Sequence, residues 1–189
     1  MKTTSDTLLL VAERVRQSIE LHQAILRDDH LMNLAQEIPH TCVRSLESGG
    51  KLIFFGNGGS AADAQHLAAE LTGRYLRERR ALPAIALTTN TSCLTAIAND
   101  YSYDEVFSRQ IDAVGTTGDV AIGISTSGNS KSVIQALTGS AGGKMQQIVD
   151  YSLSIPSEQT PRIQEAHILF GHILCEIIEE SFVNERNIS

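Results

Sequence analysis

An α/β fold, with a doubly wound parallel sheet flanked by helices, is predicted by three observations. Three short apolar runs, Lys51-Leu-Ile-Phe-Phe55, Ala84-Ile-Ala-Leu-Thr88 and Asp119-Val-Ala-Ile-Gly-Ile124, have the continuous character of strands buried on both faces. Helical patterns separate them, so each connection is a crossover and the strands run parallel. Each run also ends in a polar loop that opens a further helix, and in such sheets ligands bind outside the carboxyl ends of the strands.

Taken in order, residues 1–48 form an N-terminal helical region. Leu10, Val11, Val15 and Ile19, then Leu31, Leu34, Ile38, Cys42 and Leu46, recur at helical spacing, with Pro39 as an internal complication. Gly49-Gly50 stops this helix, and residues 49–189 make up the α/β core and a terminal helix. A weaker fourth strand is expected over Tyr151–Ile155, ending at Pro156. A long amphipathic C-terminal helix follows from about Pro161 to Phe182, with proline near its first turn. The 189 residues suffice for one domain with a sizeable core, so a single domain over 1–189 is the reading.

Composition sets limits without naming a function. A formal charge of −7 opposes a phosphate-backbone binder, which needs Lys and Arg to displace counterions, so no nucleic-acid partner is expected. Cys42, Cys93 and Cys175 are widely spaced with no CxxC pair, which supports neither a disulfide framework nor a thiolate metal site. The early apolar run from Leu8 to Ala12 is too short for a signal or membrane segment. A cytoplasmic protein with no membrane partner is the expectation.

Two loops carry the first motifs. Gly56-Asn-Gly-Gly-Ser60 joins a strand to a helix, and its glycines permit backbone amides to approach an anionic or hydroxyl-rich ligand. A plain tight turn is the simpler alternative. A dinucleotide fingerprint also fits Gly56, Gly58 and Ala61, but Thr88-Thr-Asn90 stands where its acidic residue belongs. Ser125-Thr-Ser-Gly-Asn-Ser130 sets three serines and a threonine at a helix N-terminus, which suits a phosphate monoester; simple capping needs only one hydroxyl. The absence of Gly-Lys-Ser/Thr argues against a nucleoside triphosphate.

Two helices carry the rest. His66 and Glu70, spaced i, i+4, stack on one face and can share a divalent metal, or the glutamate can act as a general base; a surface hydrogen-bonded pair is the plainer alternative. Gln164 and His172 lie eight residues apart, about 12 Å along a straight helix. One metal could scarcely reach both from one chain, so two subunits contributing to an intersubunit site is the hypothesis. His167, unpaired in sequence, reads as a core or interface histidine.

In order, KLIFFGNGGSAADAQHLAAELTGRY, LPAIALTTNTSCLTAIANDYSYDEVFSRQ, GDVAIGISTSGNS and RIQEAHILFGHIL resemble the successive signatures of the phosphoheptose isomerases of the sugar isomerase (SIS) fold, over about Gly49 to Ser181. The resemblance implies a cytoplasmic, tetrameric enzyme with one zinc per subunit. It implies isomerisation of D-sedoheptulose 7-phosphate to D-glycero-D-manno-heptose 7-phosphate, a step toward the heptose of bacterial lipopolysaccharide. Carried over by motif, the metal ligands are His66, Glu70, Gln164 and His172. Substrate contacts are Asn57, Gly58, Gly59, Glu70, Asn99, Asp100, Ser125, Thr126, Ser127, Ser130 and Gln164, with Arg74 a weaker candidate. Moving a carbonyl from C2 to C1 through an enediol needs two proton-exchanging groups, and Glu70 and His172 are the catalytic pair.

A non-catalytic protein of the same fold, one that binds the replication initiator or senses a sugar phosphate, is the alternative. The initiator-associating relative resembles this chain but breaks the pattern at the positions of Glu70, His172 and Ser127, all kept here. Two departures from the family pattern stand out. Leu137 runs directly into Thr138-Gly-Ser-Ala-Gly-Gly143, where the family has some fifteen to twenty further residues, about one helix-plus-strand step. Because a buried parallel strand is costly to lose, the reading is of an omitted segment rather than a sheet built without it. The second is Pro161, where relatives carry a polar or small residue.

Overall fold

The computed structural model describes residues 4–138 and 149–183. Helices α1 (Thr4–Leu26) and α2 (Asp29–Glu47) form the N-terminal region. They break at Asp28, whose carboxylate accepts the Leu31 amide at 3.1 Å and so caps a new helix. Pro39 lies inside α2, which continues past the rung that proline removes.

Strand β1 (Leu52–Gly56) is fully buried and central, pairing in parallel with β2 (Ala84–Ala86) on one side and β3 (Val120–Ile124) on the other. Its alternation splits the core in two. Leu52 and Phe54 face a cluster with Leu67, Leu71, Leu174 and Ile178, from α3 (Gly59–Thr72) and α7 (Thr160–Phe182). Ile53 and Phe55 face Leu87, Val106, Phe107 and Val133 on the opposite side, where α4 (Thr91–Asp100), α5 (Ser108–Val114) and α6 (Lys131–Thr138) lie. Helices on both faces of a parallel sheet give the doubly wound architecture expected.

Residues 151–155 are not the fourth strand expected. Their apolar alternation serves another purpose: Leu153 and Ile155 pack against Leu21, Ile25, Leu31, Ala166 and Phe170 of α1, α2 and α7. A cavity of about 730 Å³ runs along β3 instead, lined among the described residues by β3, α2, α7 and residues 149–153. The junction following Thr138, and any strand there, lies outside the described residues. Among the described residues no helix is long and apolar enough to cross a membrane. Cys42, Cys93 and Cys175 are all free thiols, and burial pushes those of Cys42 and Cys175 up to about 12.

Candidate active site

The chain leaves β1 toward β2 and returns to β3 on the other side, so β1 and β3 meet at a topological switch point. The glycine loop follows β1 and the serine loop follows β3, and both therefore open into one crevice. At Gly56 the two strand ends come so close that a Cβ would lie 2.7 Å from the Ile124 carbonyl oxygen, which makes glycine obligatory. Gly58 has φ of 58°, and no side chain caps α3 behind it, leaving the positive helix end bare toward the crevice.

Asn57 ties the loops together. Its Nδ2 donates to Ser130 Oγ at 2.7 Å and Ser132 Oγ at 2.9 Å, while its Oδ1 accepts from the Tyr103 hydroxyl at 2.8 Å. Across the serine loop, Ser125 Oγ accepts the Gly128 amide and Ser127 Oγ the Asn129 amide, both at 3.2 Å. Thr126 is half-buried between them. Asn99 and Asp100 end α4 and bond each other at 2.8 Å; the chain then reaches Tyr103 and Asp104, the latter 3.8 Å from Lys131. These segments place an amide, several hydroxyls and a cation around one mouth.

The second half of the site lies on α3 and α7, which run side by side in the same direction. Gly171 lets the helices approach, since a Cβ there would lie 2.7 Å from the Leu67 methyls. His66 Nε2 and His172 Nε2 meet at 2.9 Å, and Glu70 Oε1 lies 3.4 Å from His66 Nε2. Gln164 lies elsewhere: a Cβ on Gly59 would sit 2.2 Å from its Nε2, which places it against the glycine loop. One chain thus brings His66, Glu70 and His172 together and holds Gln164 apart. Two imidazoles and a carboxylate suit zinc and other divalent ions. The three form an open arrangement, however, and among the described residues no group of three His, Cys, Asp or Glu side chains is gathered closely enough to hold a metal by itself.

Among the other groups around these, Tyr75, Asp63 and Glu179 are not singled out by sequence. Tyr75 stacks on His172 with ring centres 5.5 Å apart and planes 16° apart. Asp63, one turn before His66, has a buried Oδ2 without a partner, and burial raises its carboxyl against the pull of His66. Glu179 is buried against the loop after α3; burial alone would raise its carboxyl, but the amides of Tyr75, Leu76 and Arg77, and Arg79, outweigh this and lower it. A positional hint existed, because Glu179 falls four residues after buried Cys175 in the apolar stripe of α7. Arg74 pairs with Glu78 at 3.4 Å in solvent. His167 is half-buried with Nδ1 unpartnered, and desolvation lowers its imidazole. The large cavity along β3 touches this region at Ser125, Leu67 and Gly171, and its lining includes His167 but none of His66, Glu70 and His172.

The parallel α/β sheet carries its glycine and serine loops at the switch point, and residues 16–149 match the SIS domain. The chain is 50% identical to the phosphoheptose isomerase of Sulfurimonas denitrificans over 188 positions, covering 93% of this chain and 96% of that one. It is 45% identical to that of Aneurinibacillus thermoaerophilus, covering 95% and 97%. Solved phosphoheptose isomerase structures superpose closely. That from Neisseria gonorrhoeae gives a TM-score of 0.83 at 43% identity, covering 92% of this chain and 99% of that one. That from Francisella tularensis gives 0.85 at 33% identity, covering 92% and 98%. The chain belongs to the phosphoheptose isomerase family. The Sulfurimonas alignment is longer than the stretch of this chain it occupies, so that relative carries residues without a counterpart here.

Proposed function

We propose that this protein interconverts D-sedoheptulose 7-phosphate and D-glycero-D-manno-heptose 7-phosphate, in the supply of heptose for bacterial surface glycans. The observation that carries the reading is the pairing of two half-sites: a hydroxyl-rich loop at the switch point, and an acid/base set on α3 and α7. Ser125, Thr126, Ser127 and Ser130 hold the phosphate, with the α6 amides behind them. Asn57 braces that loop, while Gly58, Gly59, Asn99 and Asp100 line the sugar's path and fix the reacting carbons.

Isomerisation moves a proton from C1 to C2 and one from O1 to O2. Glu70 and His172 carry these protons through the enediol, one withdrawing as the other returns. His66, Glu70 and His172 of one subunit, with Gln164 of another, would hold one zinc per site. When bound, zinc supplies Lewis-acid polarisation of the carbonyl. Separation of Gln164 from His172 within the chain supports this sharing. So does the apolar stripe on α1, where Leu8, Leu9, Val11, Val15 and Ile19 are all more than half exposed in a single chain. A homotetramer is the assembly we assign, and three free thiols support a reducing, cytoplasmic setting.

The test is conversion of sedoheptulose 7-phosphate by purified protein, with a chelator and then with zinc restored. Activity lost and regained is expected. Folded, zinc-loaded protein without turnover would overturn the proposal in favour of a binding role.

A further inference from the structure

The Arg79 side chain, in the segment after α3, is fully buried and lies 3.4 Å from that of Glu179, which is 2% exposed in the otherwise apolar stripe of α7. A buried pair is costly to desolvate and well-packed apolar residues often serve stability as well, so its contacts need a reason. Those contacts all lead to one place. Glu179 Oε1 accepts the Tyr75 amide at 2.8 Å, and Oε2 accepts those of Leu76 and Arg77, each at 2.7 Å. Arg79 Nη2 donates to the backbone carbonyl of Glu70 at 2.7 Å, and Nη1 to those of Gly73 and Arg80 at 3.0 Å. The last turn of α3, which carries Glu70, is thus fixed from one side. The loop that carries Tyr75 is fixed from the other, and Tyr75 is stacked on His172.

We propose that Glu179 and Arg79 are positioning residues for the acid/base and metal-binding set, acting through the Glu70 backbone and through the ring of Tyr75 on His172. This rests on the functional reading above. Groups that orient metal ligands from behind typically change metal affinity 10- to 100-fold when removed.

Zinc affinity of the full-length protein, measured by competition with a chromogenic chelator, is the test, together with kcat, KM and the melting temperature of zinc-free protein. Glu179→Gln and Tyr75→Leu are each expected to weaken zinc about tenfold or more and to lower kcat, with KM little changed. Tyr75→Phe should restore both, because the stacking face returns. Tyr75→Leu leaves the buried pair untouched, so it decides the question if Glu179→Gln does not fold. Wild-type zinc affinity and kcat in folded Tyr75→Leu would overturn the inference alone. Wild-type protein that neither binds zinc nor isomerises the sugar phosphate would overturn the functional reading, and the inference with it.

Discussion

His66, Glu70 and His172 stand on two helices packed through buried Leu67, Leu71, Leu174 and Ile178, whereas Ser125 to Ser130 follow a strand of which no residue is fully buried. The first region is fixed by a close helix contact at Gly171 and a buried ion pair; the second is held by hydroxyl-to-amide bonds within its own loop and by Asn57. The division suits the chemistry. Proton transfer depends on sub-ångström placement of two groups, and helices hold groups more firmly than loops do. A phosphate is gripped by many weak donors, so the loop proposed to hold it tolerates a lighter frame. Damage to the α3–α7 face should therefore reduce turnover, and damage to the β3–α6 edge should weaken binding.

The largest effect separating the two regions is expected from Glu70→Gln. It preserves size and the α3 packing but removes the carboxylate proposed to carry the proton, so kcat should fall about 10²- to 10⁴-fold. The near-ultraviolet circular dichroism and melting temperature should stay at wild-type values. Full activity would remove Glu70 from the mechanism and leave the α3–α7 face without its assigned task.

The parts of this division visible in sequence are those that depend on local pattern. β1, β2 and β3 all show as apolar runs whose ends agree with the strands to within one or two residues, but the burial on both faces that such runs imply holds for β1 alone; β2 is half-buried and β3 has no fully buried residue. The 151–155 segment has a strand's alternation too, but alternation cannot say whether its partner is a sheet edge or a helix pair, and here it is the helices. The two loops were visible from their glycines and hydroxyls. Their bridge through Asn57 was not, since it depends on β1 and β3 being neighbours and on Tyr103 arriving from a third segment. The spacing of Gln164 and His172 along one helix was enough to say that they diverge. Tyr75 and Glu179 were hidden because their partners lie about a hundred residues away in the chain, and because Arg79 sits in a run that reads as solvated charge.

A smaller effect should come from the other region. Ser127 Oγ accepts the Asn129 amide and lies 3.5 Å from Ser125 Oγ, at the helix end assigned to the phosphate. Ser127→Ala should raise KM for sedoheptulose 7-phosphate about tenfold, roughly 1.4 kcal/mol, with kcat largely kept. Steady-state kinetics checks this. An unchanged KM would count against the loop as the phosphate site, and a loss confined to kcat would erase the contrast between the regions.

The smallest effect on activity concerns the opposite end of the sheet, where both regions share a foundation. Asp119 accepts the Lys51 amide at 2.9 Å, the Lys51 ammonium at 2.6 Å and the Thr116 amide at 2.7 Å, pinning β3 to β1 away from the crevice. Burial alone would raise its carboxyl, but Lys51 and the amides outweigh that and lower it to about 2. A carboxyl lowered on folding stabilises the fold above its unfolded value near 3.9, and that stabilisation is lost as pH falls from there toward 2. Asp119→Asn should therefore lower unfolding stability by about 1–3 kcal/mol at pH 7 and at pH 5, as judged by urea titration. The gap from wild type should narrow below pH 4, while kcat and KM at pH 7 stay as they were. A gap of constant size down to pH 3 would mean that the variant acts through packing and not through this charge. A change in KM would mean that the strand ends do not insulate the crevice from the base of the sheet.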